Sequence, residues 1–156
     1  AGEMGAAEGG FDVFIAISAS LVRIADAHAE RQPEQILDTT SFKVVMNGSQ
    51  EFKHAVVRFT EVINEALAAN NMTKKDINLL VPHQANLRIS QFIQQKMGLS
   101  DEKVYNNIMR YGNTTAASIP IAMSEAWDEG KMKKNDIICL AAFGSGFTWA
   151  SALIKW

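Results

Sequence analysis

Cysteine occurs once in these 156 residues, at Cys139, which excludes an intrachain disulfide and the multi-cysteine zinc patterns and is compatible with a reducing, cytoplasmic setting. Excess charge is missing as well. The formal net charge is -2 and the two signs are interspersed, so composition offers no broad basic face for nucleic acid. Long hydrophobic runs are absent: the stretches at 13–24 and 137–143 are too short, or too interrupted by Ser, Arg or Cys, to span a bilayer. The amino terminus, AGEMGAAEGG, has no initiator Met and none of the charged-then-apolar order of a secretory signal. Histidine is scarce too. His28 and His54 lie on polar faces of amphipathic segments, too scattered from His83 to suggest a metal set, so no metal is expected.

What is present is an ordinary core-forming composition. The 47% hydrophobic content and the length suit one compact domain. Residues 1–40 are the least readable: a Gly-rich start, an apolar segment at 11–24 compatible with strand or helix, then a polar stretch through Pro33. From Gly48 the pattern turns regular. Phe52, Ala55, Val56, Phe59, Val62, Ile63, Ala66 and Leu67 follow helical spacing, predicting a helix that ends near Asn70 and Asn71. Residues 77–81 read as a short strand closed by Pro82. Asn86 then caps a helix whose Leu87, Ile89, Phe92, Ile93 and Met97 point inward and which Gly98 stops.

The pattern repeats, with a strand predicted at 104–109, a turn at 111–115 and a helix at 116–127 closed near Gly130. The apolar run 137–143, a Gly-Ser-Gly turn and a last strand at 147–156 complete a terminal hairpin. Helices alternating with strands predict a layered α/β architecture with a mixed sheet. In such sheets ligands meet the carboxyl ends of strands, and both HQAN at 83–86 and YGNTT at 111–115 fall there. A His and an Asn offered by neighbouring strand ends can together hydrogen-bond one carbonyl oxygen as it becomes an enolate.

Taken in order, LVPHQANLRI at 80–89, YGNTTAASIP at 111–120 and FGSGFTWASALIKW at 143–156 resemble the carboxyl-terminal region of 3-oxoacyl-acyl-carrier-protein synthase III, a thiolase-fold condensing enzyme. The resemblance implies the carboxyl-terminal half of a layered α-β-α thiolase fold at 42–156, with 1–41 an amino-terminal segment that it does not cover. It further implies an acyltransferase of fatty-acid biosynthesis that joins malonyl-acyl-carrier protein to an acyl-CoA primer. The expected partners are acyl-carrier protein, acyl-CoA, the amino-terminal half or a partner subunit, and a second copy as a homodimer. Cofactors beyond the substrates, membrane and nucleic acid are not expected.

By motif matching, His83 and Asn113 take the places of the family's enolate-stabilising pair, Asn86 lies beside the pantetheine tunnel, and Arg88 stands where a basic residue faces the acidic carrier protein. Phe143 and Ser145 fall in the substrate-binding turn, where Ser145 replaces a usual glycine whose backbone N–H serves acyl transfer. The family's nucleophilic cysteine has no counterpart, since Cys139 sits inside the apolar IICLAAF. Plainer readings stand beside these: Asn113 as a turn or helix cap, Arg88 as a solvated helix residue, and the whole chain as a noncatalytic thiolase-like domain supporting a cysteine-bearing partner. Polyketide and hydroxymethylglutaryl condensing enzymes share the fold and the His, but the HQANLRI and YGNTTAAS wording favours the synthase III branch.

Overall fold

The structure, a computed structural model, describes residues 18–21, 48–144 and 148–156. A short strand, β1 (Ser18–Leu21), precedes the long helix α1 (Gly48–Ala69). Ala55, Phe59, Val62, Ile63, Ala66 and Leu67 form its buried stripe, as their spacing predicts. Its end falls where the asparagines stand. The Asn70 side chain donates to the Ala66 carbonyl at 2.8 Å, and Asn71 turns the chain away with a φ of 54°.

Strand β2 (Leu79–Pro82) is wholly buried and leads through His83–Asn86 into α2 (Leu87–Met97). Asn86 caps that helix, its Oδ1 accepting the Arg88 backbone N–H at 2.9 Å, and Gly98 closes it in the left-handed conformation at φ 66°. The short helix α3 (Ile108–Tyr111) and helix α4 (Ser118–Asp128) follow, then strands β3 (Ile137–Gly144) and β4 (Thr148–Lys155).

The four strands lie in the order β1-β4-β3-β2. β2 runs parallel to β3, while β3 with β4 and β4 with β1 are antiparallel, so the sheet is mixed. Pro82, which has no N–H to give a ladder, stands at the end of an outer strand, paired with Ala141. Alternation along the strands divides the interior in two. Leu80, Cys139, Ala141 and Leu153 face α1 and α2, packing with Phe59, Ile63, Ile93 and Met97. Leu79, Val81 and Ile138 face the other way, onto Ala122 and Ala126 of α4. The result is the three-layered α/β sandwich expected, and truncating a central residue such as Leu80 to Ala would cost about 2–5 kcal/mol.

One element differs from expectation. The strand predicted at 104–109 is reduced to a single parallel bridge between Val104 and Leu80. The backbone N–H groups of Asn107 and Ile108 donate to the Gln84 side chain rather than to a ladder, and the chain then winds into α3. A buried amide thus outcompetes a neighbouring strand for those two donors.

Candidate functional site

The end of β2 presents HQAN, and each of its polar side chains is held by a different partner. His83 donates its backbone N–H to the Ala141 carbonyl at 2.7 Å, which continues the pairing with β3 by one residue and fixes where the imidazole starts. Its ring nitrogen Nδ1 lies 2.6 Å from the Ser118 hydroxyl at the start of α4. Nδ1 is therefore engaged and Nε2 is the nitrogen that faces away. Partial burial pulls the imidazole below the usual histidine range, because the charged form loses solvation.

Gln84, passed over in the sequence, is only 3% exposed and is the structural centre of the site. Its amide nitrogen donates to the Pro82 carbonyl at 2.7 Å and to the Tyr105 carbonyl at 3.3 Å. Its amide oxygen accepts the N–H groups of Asn107 at 3.0 Å and Ile108 at 3.1 Å. Both ends of the amide are used, so this one side chain stitches the end of β2 to the segment that leads into YGNTT.

That segment is clamped from the other side by α4. Glu125 accepts from the Asn107 amide at 2.7 Å and from the Tyr111 hydroxyl, and pairs with Arg110 at 3.0 Å. Those partners, Tyr111 and Asn107 before Arg110, hold its carboxyl below the usual range. Tyr105 donates its hydroxyl to Glu129 at 2.9 Å, and burial first, then that carboxylate, pushes the phenol up to about 12.

The loop between the clamps is conformationally demanding. Gly112 has φ 67° and ψ -159°, a region essentially reserved for glycine. Thr115, a β-branched residue, adopts φ 53°, a backbone position such side chains rarely take. Between them stands Asn113, exposed, with its Oδ1 accepting the Thr115 N–H at 2.9 Å. The capping role read from the sequence is thus present. Because the oxygen end is held, the end directed away from the turn is the amide nitrogen, a donor.

The remaining residues singled out in the sequence fall as follows. Asn86 is an exposed helix cap. Arg88 is exposed in the first turn of α2 and, among the described residues, forms no ion pair. Phe143 lies on β3, stacked on Trp149 with centroids 6.4 Å apart and tilted against Phe59 at 6.3 Å. Ser145 lies outside the described residues. Cys139 is a free, fully buried thiol whose burial pushes it up to about 12, which removes it from nucleophilic chemistry. Among the described residues no cluster of His, Cys, Asp or Glu is arranged to hold a metal ion, and no helix is long and apolar enough to cross a membrane. Ser118 and Gln84 were missed because their roles rest on contacts with residues distant in sequence; the signal was positional only, Gln84 beside His83 and Ser118 opening the helix after YGNTT.

Residues 67–156 match the family model described as 3-oxoacyl-[acyl-carrier-protein (ACP)] synthase III C terminal. The chain is 49% identical over 124 residues to a beta-ketoacyl-[acyl-carrier-protein] synthase III of Campylobacter jejuni, covering 80% of this chain and 38% of that protein. To the protein of the same name from Clostridium tetani it is 42% identical over 147 residues, covering 94% of this chain and 44% of the relative. Among solved structures it is similar to the synthase III of Thermus thermophilus, with a TM-score of 0.81, 37% identity and coverage of 97% of this chain and 48% of that one. The crystal structure of 3-oxoacyl-[acyl-carrier-protein] synthase III from Aquifex aeolicus gives a TM-score of 0.80 at 33% identity, with coverage of 97% and 46%. The chain therefore spans less than half the length of each of these relatives.

Proposed function

This chain belongs to the 3-oxoacyl-[acyl-carrier-protein] synthase III C-terminal family, and from that premise we propose that it supplies the enolate-stabilising half of a decarboxylating Claisen condensing enzyme. In this reading His83 and Asn113 donate hydrogen bonds to the carbonyl oxygen of a malonyl thioester carried by acyl-carrier protein. As the bond to the carboxylate carbon breaks and carbon dioxide leaves, its electron pair moves into the thioester to form an enolate, whose oxygen those two donors stabilise. The enolate carbon then attacks an acyl thioester derived from an acyl-CoA primer, forming the new carbon–carbon bond and expelling a cysteine thiolate. The only cysteine of this chain is buried in β3, so that thiol comes from polypeptide outside it, an amino-terminal half or a partner subunit.

The observation that carries the reading is how the two side chains are held. His83 is engaged at Nδ1 and Asn113 at Oδ1, so each is anchored by one end and free to donate from the other. Both anchors, Ser118 and Thr115, belong to one stretch of chain, and Gln84 ties the segment leading into that stretch to the strand end that bears His83. Donors fixed in advance are what stabilises a developing oxyanion, because nothing needs to reorganise as charge appears. A neutral His83 suits the role, and partial burial, which lowers its pKa, favours that form.

Fatty-acid chain initiation by a homodimer in the cytoplasm, with Arg88 meeting the acidic carrier protein, and Asn86, Phe143 and Ser145 lining the substrate channel, completes the proposal. The test is to express the chain with its cysteine-bearing counterpart and replace His83 by Ala. Decarboxylation of malonyl-acyl-carrier protein is expected to slow about a hundredfold or more. An unchanged rate would end the proposal. The buried state of Cys139 also favours a second reading, a noncatalytic domain that supports a cysteine-bearing partner. A stable complex with such a partner whose activity is indifferent to both His83 and Asn113 would establish it.

A further inference from the structure

Ser118 stands at the first position of α4, is 2% exposed, and places its hydroxyl oxygen between two groups from the end of β2. Nδ1 of His83 is 2.6 Å away, and the backbone N–H of Gln84 donates to the same oxygen at 3.3 Å. These two contacts decide which way the protons run. A serine hydroxyl has one proton and two acceptor sites. The Gln84 N–H occupies an acceptor site and brings no acceptor of its own, so the hydroxyl proton has one partner within reach, Nδ1. If Nδ1 carried a proton instead, the serine proton would be a buried donor with nothing to receive it, an arrangement folded proteins avoid.

We propose that Ser118 is the positioning residue that selects the Nε2–H tautomer of His83, by donating its hydroxyl proton to Nδ1 while accepting the N–H of Gln84. The bond does two things at once. It makes Nδ1 the acceptor, so that Nε2 carries the proton, and it pins the plane of the ring. This rests on the reading that His83 acts as a neutral donor to an enolate oxygen, and it names the group that makes it one. The Gln84 N–H in turn holds Ser118 in place, so the same dipeptide that carries the imidazole also orients the hydroxyl that orders it. A spacing of 35 residues hides the relationship in the sequence.

Long-range proton–nitrogen spectra of the histidine rings, recorded near neutral pH on the chain expressed with its cysteine-bearing counterpart, report the tautomer directly. In the unsubstituted protein His83 is expected as a single Nε2–H form. Ser118→Ala should give averaged ring resonances, with kcat for malonyl decarboxylation about tenfold lower and KM little changed, the effect of losing one hydrogen bond at the reacting group. Ser118→Thr, which keeps the hydroxyl, should restore both. An Nδ1–H ring in the unsubstituted protein would overturn the proposal whatever the variants do, as would a Ser118→Ala protein that retains the single Nε2–H form and full kcat. A tautomer that depends on Ser118 in a protein whose decarboxylation survives His83→Ala would leave the positioning intact and remove the catalytic reading instead.

Discussion

Replacing Gln84 removes four hydrogen bonds from one buried point, and the consequence can be worked out from their partners. Gln84→Ala strands the N–H groups of Asn107 and Ile108 and the carbonyls of Pro82 and Tyr105. A buried polar group left without a partner costs about 1–3 kcal/mol, and the space vacated admits water to some of them, so a total of about 3–5 kcal/mol is expected. Set against the roughly 5–15 kcal/mol that holds a typical domain together, the variant folds but is marginal. Gln84→Glu separates the two ends of the amide. A carboxylate still accepts from Asn107 and Ile108, but it has no proton for Pro82 and Tyr105, and its second oxygen faces their carbonyls. Burial and those carbonyls raise the pKa of the introduced acid in the folded state above its unfolded value of about 4.3. A group whose pKa is raised on folding contributes stability below its unfolded pKa and loses it as pH rises through the folded one. The Glu variant should therefore approach the parent near pH 4 and fall away from it towards pH 8. Urea unfolding across that range reads both effects. A cost below about 1 kcal/mol for Ala, or a Glu variant whose deficit is independent of pH, would refute the assigned role of Gln84.

Two further outcomes follow from the backbone and the core. Gly112→Ala should destabilise by about 1–3 kcal/mol through conformation alone, because a Cβ there would meet nothing within 4 Å while φ stays at 67°; a change below 0.5 kcal/mol in the denaturant midpoint analysis would contradict this. Cys139, with its thiol pushed up to about 12, should resist alkylation at pH 8 until the protein is unfolded, as mass spectrometry after timed iodoacetamide treatment would register. Because its pKa is raised on folding, its contribution to stability should be intact below about pH 8.5 and should diminish above it, so rapid labelling of the native thiol would disprove its burial.

How much of this was legible beforehand depends on the range of the interactions. Helix α2 was readable from end to end, since its cap at Asn86, its stop at Gly98 and its apolar face lie within one short window. Helix α1 was readable for the same reason, down to the asparagines that end it. The stretch 104–109 was misread because its apolar residues suit a strand locally, whereas its fate is set by an amide more than twenty residues away. The reactive members of the site, His83 and Asn113, could be found by residue type and motif. Their supports could not: Gln84, Ser118 and Glu125 are common residues whose roles exist only once the end of β2, the Gly112 loop and α4 have been brought together.

The pairing of β1 with β4 bears on how this polypeptide should be handled. Residues 18–21 cover the outer flank of β4, matching Ser18 to Ser151 and Leu21 to Thr148. A truncated version begun at residue 42 would lack that cover. Strand β4 would then show open N–H and C=O groups to any other strand in solution, the situation that drives chains to stack edge on edge. Strand β1 thus works as a seam along β4, and trimming it would leave that edge open to pairing with other chains.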